Sequence, residues 1–221
     1  MSVRRAIATM VLLLAVSYPA AAEQERVYPA LEEPAHKPVF HNDRIDVYDV
    51  QLKPGQRSFY HMHSRDQLGI VLRSGTSLNQ PQGASETASR NERGAISYIP
   101  HSALGGYVHR VRAGNDPFRV IGIEFATPAP AGSKRLMAAP NQPVFQFPQG
   151  RVTRLAIAPG DARTMTGSLI IAMAPGGLEA ADSAKWAFDE GSVQWIGGRT
   201  DLTYRNRTSS PIQLLVLALA D

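Results

Sequence analysis

Short segments in which apolar and polar residues alternate, separated by clusters of turn-forming residues, run through most of this 221-residue chain. From Val39 onward, strings such as IDVYDVQL, LGIVLRSG, GAISYIP and FRVIGIEF are bounded by Gly, Pro, Asn, Asp and Ser. A period of two with such boundaries is typical of β-strands, whereas helical periodicity is hard to find beyond the N-terminal apolar segment. The sequence therefore predicts an all-β sandwich or barrel fold.

Three strings of the first half recur in the same order in the second half. KPGQRSFY matches APGDARTM, RGAISYIP matches EGSVQWIG, and NDPFRVIGIEF matches SSPIQLLVLAL. Because order, spacing and residue type all agree, the pattern favours two copies of one small β-barrel. Trp186 and Trp195 are expected to fill the core of the second copy.

The N-terminus has the pattern of a cleavable export signal. Arg4 and Arg5 precede an apolar run, Ala6–Val16, and small residues at 20–22 stand before Glu23. The run is shorter than the roughly 20 apolar residues that cross a bilayer. We therefore expect a periplasmic or secreted protein that has no membrane contact after the signal is cleaved.

These patterns predict the domain organisation. Residues 1–22 form the signal peptide and 23–37 an N-terminal extension; 38–128 form the first barrel, 129–143 a linker rich in Pro and Ala, and 144–221 the second barrel.

Composition limits the chemistry of the chain. It contains no cysteine, so a transition-metal site must use imidazole and oxygen ligands. Its 23 basic residues exceed the 19 acidic ones by four, and they are scattered along the chain. A nucleic-acid partner is therefore not expected, and the partner that we expect is a small molecule.

Histidines are confined to the first half of the chain, which places any imidazole site there. All six lie between positions 36 and 109. His61 and His63 stand two apart in FYHMHSRD, and this spacing on a β-strand sends both side chains to one face. His109, in GGYVHRVR, is the candidate for a third ligand. His101 is expected to lie in a turn at the barrel mouth, either facing a substrate or exposed to solvent.

The first half resembles the cupin family, whose first motif runs Gly, five residues, His-x-His, three or four residues, Glu, six residues, Gly. Here Gly55, QRSFY, His61, Met62, His63, SRD, Gln67, LGIVLRS and Gly75 follow that frame. The sequence departs from it in having Gln67 in place of Glu and one extra residue before the closing Gly.

The second cupin motif runs Gly, five residues, Pro, a short Gly-containing turn, His, three residues, Asn. Gly94, AISYI, Pro100, HSALGGYV, His109, RVR and Ala113 match it. The turn is about four residues longer than usual, and Ala113 stands where Asn is expected.

The resemblance implies two cupin-type jelly-roll β-barrels in tandem, a bicupin whose second barrel is degenerate. It also implies that His61, His63 and His109 bind one divalent transition metal, with Gln67 as a fourth ligand and Asp66 as the rival oxygen donor. Fe, Mn, Ni, Co and Zn all suit such a ligand set. A neutral amide in place of a carboxylate would leave the metal its full charge and favour an anionic ligand.

Three functional hypotheses are compatible with this resemblance. The first is a metal-dependent enzyme acting on a small molecule, dioxygenase-like or isomerase-like. The second is a non-enzymatic periplasmic protein that binds a ligand or a metal. A third, in which any metal is structural and the barrels form an interaction surface, is the least specific. The resemblance leaves a homo-oligomer open.

Overall fold

The structure is a computed structural model that describes residues 25–167, 169–181, 184–197 and 202–220. The signal peptide predicted over residues 1–22 lies outside the described residues. The described residues form strands and one 3-10 turn, Ala30–Glu32. The strands are β1 (Val27–Pro29), β2 (His36–His41), β3 (Ile45–Leu52), β4 (Tyr60–His63), β5 (Gln67–Arg73), β6 (Gly75–Pro81), β7 (Thr87–Asn91), β8 (Ile96–Ile99), β9 (Tyr107–Ala113), β10 (Phe118–Phe125), β11 (Leu136–Ala138), β12 (Val144–Phe147), β13 (Gly150–Ile157), β14 (Ala162–Met165), β15 (Leu169–Ala172), β16 (Gly176–Ala180), β17 (Lys185–Phe188), β18 (Val193–Trp195), β19 (Leu202–Asn206) and β20 (Ile212–Leu219).

The strands form four sheets, two from each half of the chain. In the first half, sheet A has the order β1-β4-β9-β6-β7 and sheet B the order β11-β8-β5-β10-β3-β2. In the second half, sheet C has the order β12-β13-β20-β15-β18 and sheet D the order β14-β19-β16-β17. Apart from β1 and β11, the two halves share the same strand order. The prediction of an all-β fold is confirmed.

Two segments predicted to lie outside the barrels take part in the first pair of sheets. The predicted extension, 23–37, contributes β1, which pairs in parallel with β4, and the start of β2, which pairs with β3. The predicted linker, 129–143, contributes β11, which pairs with β8. Their local sequence has only a weak strand pattern. They become strands because they pair with strands that are distant in the sequence.

A hydrophobic core joins the two halves. On β10, Ile121, Ile123 and Phe125 point into a buried cluster that also contains Phe145 and Leu217 of the second half. Residues at alternate positions, including Gly122 and Glu124, face the interior of the first half. Because side chains alternate between the two faces of a strand, β10 contributes apolar residues to the core between the halves and polar or small residues to the interior of the first half.

The second half has its own apolar interior. Its buried members include Met165, Leu178 and Val216, and Trp186 packs against them as expected. Trp195 differs from the prediction, because it packs against the core shared by the two halves and stacks on Phe40, with ring centroids 5.5 Å apart.

Candidate metal centre

The register of β4 and β9 brings three histidines together. His61 pairs directly with His109 across these antiparallel strands, and His63 lies two residues along β4 on the same face. Their candidate ligand atoms all lie within 4.8 Å of one another. His61 and His63 are each only 1% exposed. His109 is half-buried. The structure thus brings the three imidazoles expected from the sequence into one cluster, named here the histidine triad.

Each ring of the histidine triad is oriented by a hydrogen bond from its Nδ1 atom. Nδ1 of His61 donates to the carbonyl of Phe59 at 3.0 Å, and Nδ1 of His63 donates to Oε1 of Glu124 at 2.9 Å. Nδ1 of His109 donates to the side-chain oxygen of Asn79. Anchoring at Nδ1 leaves Nε2 with a free lone pair, which is the arrangement typical of metal-bound histidine.

The surroundings of the histidine triad favour neutral imidazole, the form that binds metals. Burial lowers the pKa of His61. Burial, together with the neighbouring histidines, lowers the pKa values of His63 and His109 well below their usual range. Nε2 of His109 is buried and has no hydrogen-bond partner among the described residues. A buried lone pair of this kind fits a metal ion, and the donor set suits first-row transition metals.

Glu124 is a functional candidate that the sequence reasoning missed. It is 3% exposed, lies on β10 of the opposite sheet, and accepts the hydrogen bond from His63. Burial raises the pKa of Glu124 to about 7. A carboxyl group behind a ligating imidazole fixes the orientation of the ring and raises its basicity. One signal was present in the sequence, namely a single acidic residue within the apolar strand FRVIGIEF.

Replacing Glu124 by alanine is expected to weaken metal binding by about 10- to 100-fold, because His63 loses the group that orients it. The measurement is a metal titration against a chromophoric chelator. Glu124→Gln is the matched control, since its amide oxygen still accepts the hydrogen bond, and it should lose less affinity. Wild-type affinity in Glu124→Ala would contradict this role.

Gln67 lies beside this cluster in sheet B. It pairs with Glu124 across β5 and β10, and its Nε2 donates to the hydroxyl of Tyr48 at 2.7 Å. Its amide nitrogen is thus engaged by a buried phenol, which leaves the amide oxygen for another partner. The assignment of Gln67 as fourth ligand stays a prediction.

Alanine at position 67 is expected to loosen the metal far less than alanine at position 63, because an amide oxygen is a weaker ligand than imidazole. Parallel metal titrations of the Gln67→Ala and His63→Ala variants would measure the difference. An equal loss of affinity in both variants would instead identify Gln67 as a strong ligand.

Asp66, the rival oxygen donor, is fully buried, and its carboxylate is engaged in hydrogen bonds with loop residues. Its carboxylate accepts hydrogen bonds from the backbone N–H groups of Ser102 and Ala129 and from Nε2 of Gln149, at 2.6 to 2.9 Å. Although burial alone would raise the pKa of Asp66, these hydrogen bonds hold it below its usual value. Asp66 therefore links the loops that contain Ser102, Ala129 and Gln149, and its carboxylate is not part of the cluster of ligand atoms at the histidine triad.

Two further histidines surround the histidine triad. His36, to which the sequence assigns no role, is buried. Its ring centroid lies 4.6 Å from that of Tyr48 and 4.5 Å from that of His61. His101 is 2% exposed, so the exposed-loop alternative for this residue is wrong. His36 gave no signal in the sequence because it falls in the segment predicted as an extension. His41 is exposed.

Tyr48 helps to shape this interior through a close contact with the backbone. It pairs with Gly122 across β3 and β10. A Cβ atom at Gly122 would lie 2.3 Å from the ring of Tyr48, so a glycine at this position lets the phenol lie flat across the strand.

The structure has an all-β, cupin-type fold, and its first half holds a candidate metal centre between its sheets. By sequence, no family model and no curated protein matches the chain.

Solved structures share the fold at low sequence identity. AerE from Microcystis aeruginosa is 12% identical, with a TM-score of 0.61 over 86% of this chain and 99% of its own. The protein Ylba from E. coli is 11% identical, with a TM-score of 0.60 over 90% of this chain and 89% of its own. A mutant of the oxalate decarboxylase OxdC from Bacillus subtilis is 12% identical, with a TM-score of 0.53 over 80% of this chain and 69% of its own.

In the described part of the chain there is no helix with the length and apolar character needed to span a membrane.

Proposed function

We propose that this chain is an exported two-barrel cupin protein that binds one divalent transition metal at His61, His63 and His109 and acts on a small anionic molecule there. The observation that carries the proposal is the convergence of three imidazoles, two buried and one half-buried, each anchored at Nδ1. Fe, Mn, Ni, Co and Zn are all candidates for the metal.

The matching strand orders support the two-barrel part of this proposal. Glycines matched in the sequence also match in conformation. Gly55 and Gly160 have φ values of 72° and 80°, and Gly94 and Gly191 have values of 86° and 84°. The interior of the second half is apolar and no histidine follows position 109, so we take the second barrel to be degenerate.

An enzyme is our first candidate, with a dioxygenase-like or isomerase-like reaction. A bound divalent metal would act as a Lewis acid or acidify a bound water. The chain itself places a phenol, Tyr48, and a carboxyl group of raised pKa, Glu124, around the histidine triad. These groups can orient a ligand and hold a proton.

A non-enzymatic ligand- or metal-binding protein is the alternative, favoured by the amide of Gln67 in the place of the usual carboxylate. In either case we expect the protein in the periplasm or outside the cell, on the strength of the N-terminal sequence alone. The partner would be a small molecule and not a nucleic acid, and a homo-oligomer stays open.

Metal analysis and turnover assays together test the proposal. Purified protein and the His61→Ala, His63→Ala double variant would be analysed for metal, then assayed with phenols, sugars and organic acids for oxygen consumption and product formation. Turnover that the double variant lacks supports an enzyme, whereas metal-dependent ligand binding without turnover supports the alternative. Negligible metal in both proteins would overturn both readings.

A further inference from the structure

His101 lies at the start of the loop between β8 and β9, next to the histidine triad. Its ring is nearly parallel to that of His63, with centroids 5.1 Å apart and an interplanar angle of 15°. It is also nearly parallel to the ring of Tyr107, at 5.7 Å and 9°. The imidazole of His101 is therefore held beside a candidate metal ligand by flat contacts that constrain its plane.

Both ring nitrogens of His101 are buried and lack a hydrogen-bond partner among the described residues. The Nδ1 atoms of the histidine triad and of His36 all donate to protein oxygens, so His101 is the exception in this cluster. Buried polar atoms in folded proteins nearly always have a partner, and leaving them unpaired is unfavourable. A partner for at least one of these nitrogens is therefore expected to come from a bound molecule.

The backbone around His101 is well anchored, which argues against accidental placement. The carbonyl of His101 accepts hydrogen bonds from the N–H groups of Leu104 and Gly106, at 3.1 and 2.9 Å. The next residue, Ser102, donates from both its N–H and its hydroxyl to Asp66, at 2.9 and 2.6 Å. These contacts hold the loop in place without using the imidazole.

A neutral imidazole carries one N–H donor and one lone pair. Its two nitrogens point away from each other, so a small molecule at the histidine triad can pair with one of them, either as an acceptor for the N–H or as a donor to the lone pair. The histidine triad adds a second requirement, because a divalent metal held by three neutral imidazoles keeps its charge and favours an anion. A small hydroxy carboxylate meets both requirements, because it is an anion and can pair with either nitrogen: its carboxylate accepts a hydrogen bond from the N–H, or its hydroxyl donates one to the lone pair.

We propose that His101 recognises the small molecule bound at the histidine triad, and that this molecule is a hydroxy carboxylate that hydrogen-bonds to the imidazole. The inference rests on the metal site proposed above. It assigns to His101 a role in specificity and not in holding the metal.

Ligand titrations of the cobalt-loaded protein test this role, with the visible absorption of cobalt as the readout. Glycolate is the probe for a hydroxy carboxylate, and azide is a small anion that needs only the metal. His101→Phe keeps a flat ring for stacking and removes both nitrogens. His101→Gln keeps a donor and an acceptor and serves as the second variant.

We expect the Kd of glycolate to rise about tenfold or more in His101→Phe, as for the loss of a hydrogen bond to a charged group, and less in His101→Gln. The Kd of azide should stay within about twofold of the wild-type value in both variants. An unchanged glycolate Kd in His101→Phe would overturn the role of His101, as would wild-type protein that binds azide but not glycolate. Failure of the wild type to take up cobalt would overturn the metal site itself, and it is a distinct result.

Discussion

Alanine in place of His63 is expected to lower the metal content of the purified protein from about one equivalent per chain to less than about a tenth. Only two imidazoles of the histidine triad would then remain, and Glu124 would lose the ring that it orients. Inductively coupled plasma mass spectrometry on the wild type and the variant, purified side by side, measures this directly.

The matched control for that experiment is His41→Ala. His41 is exposed and pairs with Asp46, away from the histidine triad. This variant should keep the wild-type metal content. Equal metal in His63→Ala and the wild type would show that the ion binds elsewhere on the chain.

Truncation of Ile123 to alanine is expected to lower the free energy of unfolding by about 2 to 5 kcal/mol, the range for large-to-small changes in well-packed cores. Ile123 is fully buried in the cluster to which both halves contribute. The cavity would therefore weaken the packing between the halves as well as within sheet B. Urea unfolding followed by circular dichroism measures the change.

Val39→Ala provides the comparison, because Val39 is exposed on β2. Its free energy of unfolding should change by no more than about 0.5 kcal/mol. A similarly small change in Ile123→Ala would mean that the two halves do not pack together as the structure shows.

The local sequence was sufficient to predict the strands and the part of the site that lies on neighbouring strands. The period of two marked β10 and predicted that His61 and His63 share a face, as they do on β4. His109 stands opposite His61 because β4 and β9 pair in antiparallel register, which the cupin-like spacing implied but the alternation alone did not.

Residues that reach the site through long-range pairing could not be predicted in the same way. Glu124 comes from the opposite sheet, and its role depends on how sheets A and B face each other. His36 arrives on β2, in a segment with a weak strand pattern. Asp66 looked like a potential ligand because it adjoins Gln67, but its hydrogen bonds to Ser102, Ala129 and Gln149 form only in the folded chain.

The shared core gives the second half a structural role, although that half contains no histidine. The face of sheet B opposite the histidine triad is apolar, with residues such as Ile70 and Ile123, and it is covered by apolar residues of sheet C such as Leu217. Covering this face removes apolar surface from water. We infer that the second half stabilises the strands that carry Gln67 and Glu124.

X-ray absorption spectroscopy of the protein loaded with one equivalent of zinc tests the metal site most directly. We predict a spectrum fitted by about three imidazole nitrogens at about 2.0 to 2.1 Å, together with oxygen donors. A spectrum with no more than one imidazole in the coordination shell would contradict the assignment of His61, His63 and His109 as the metal ligands.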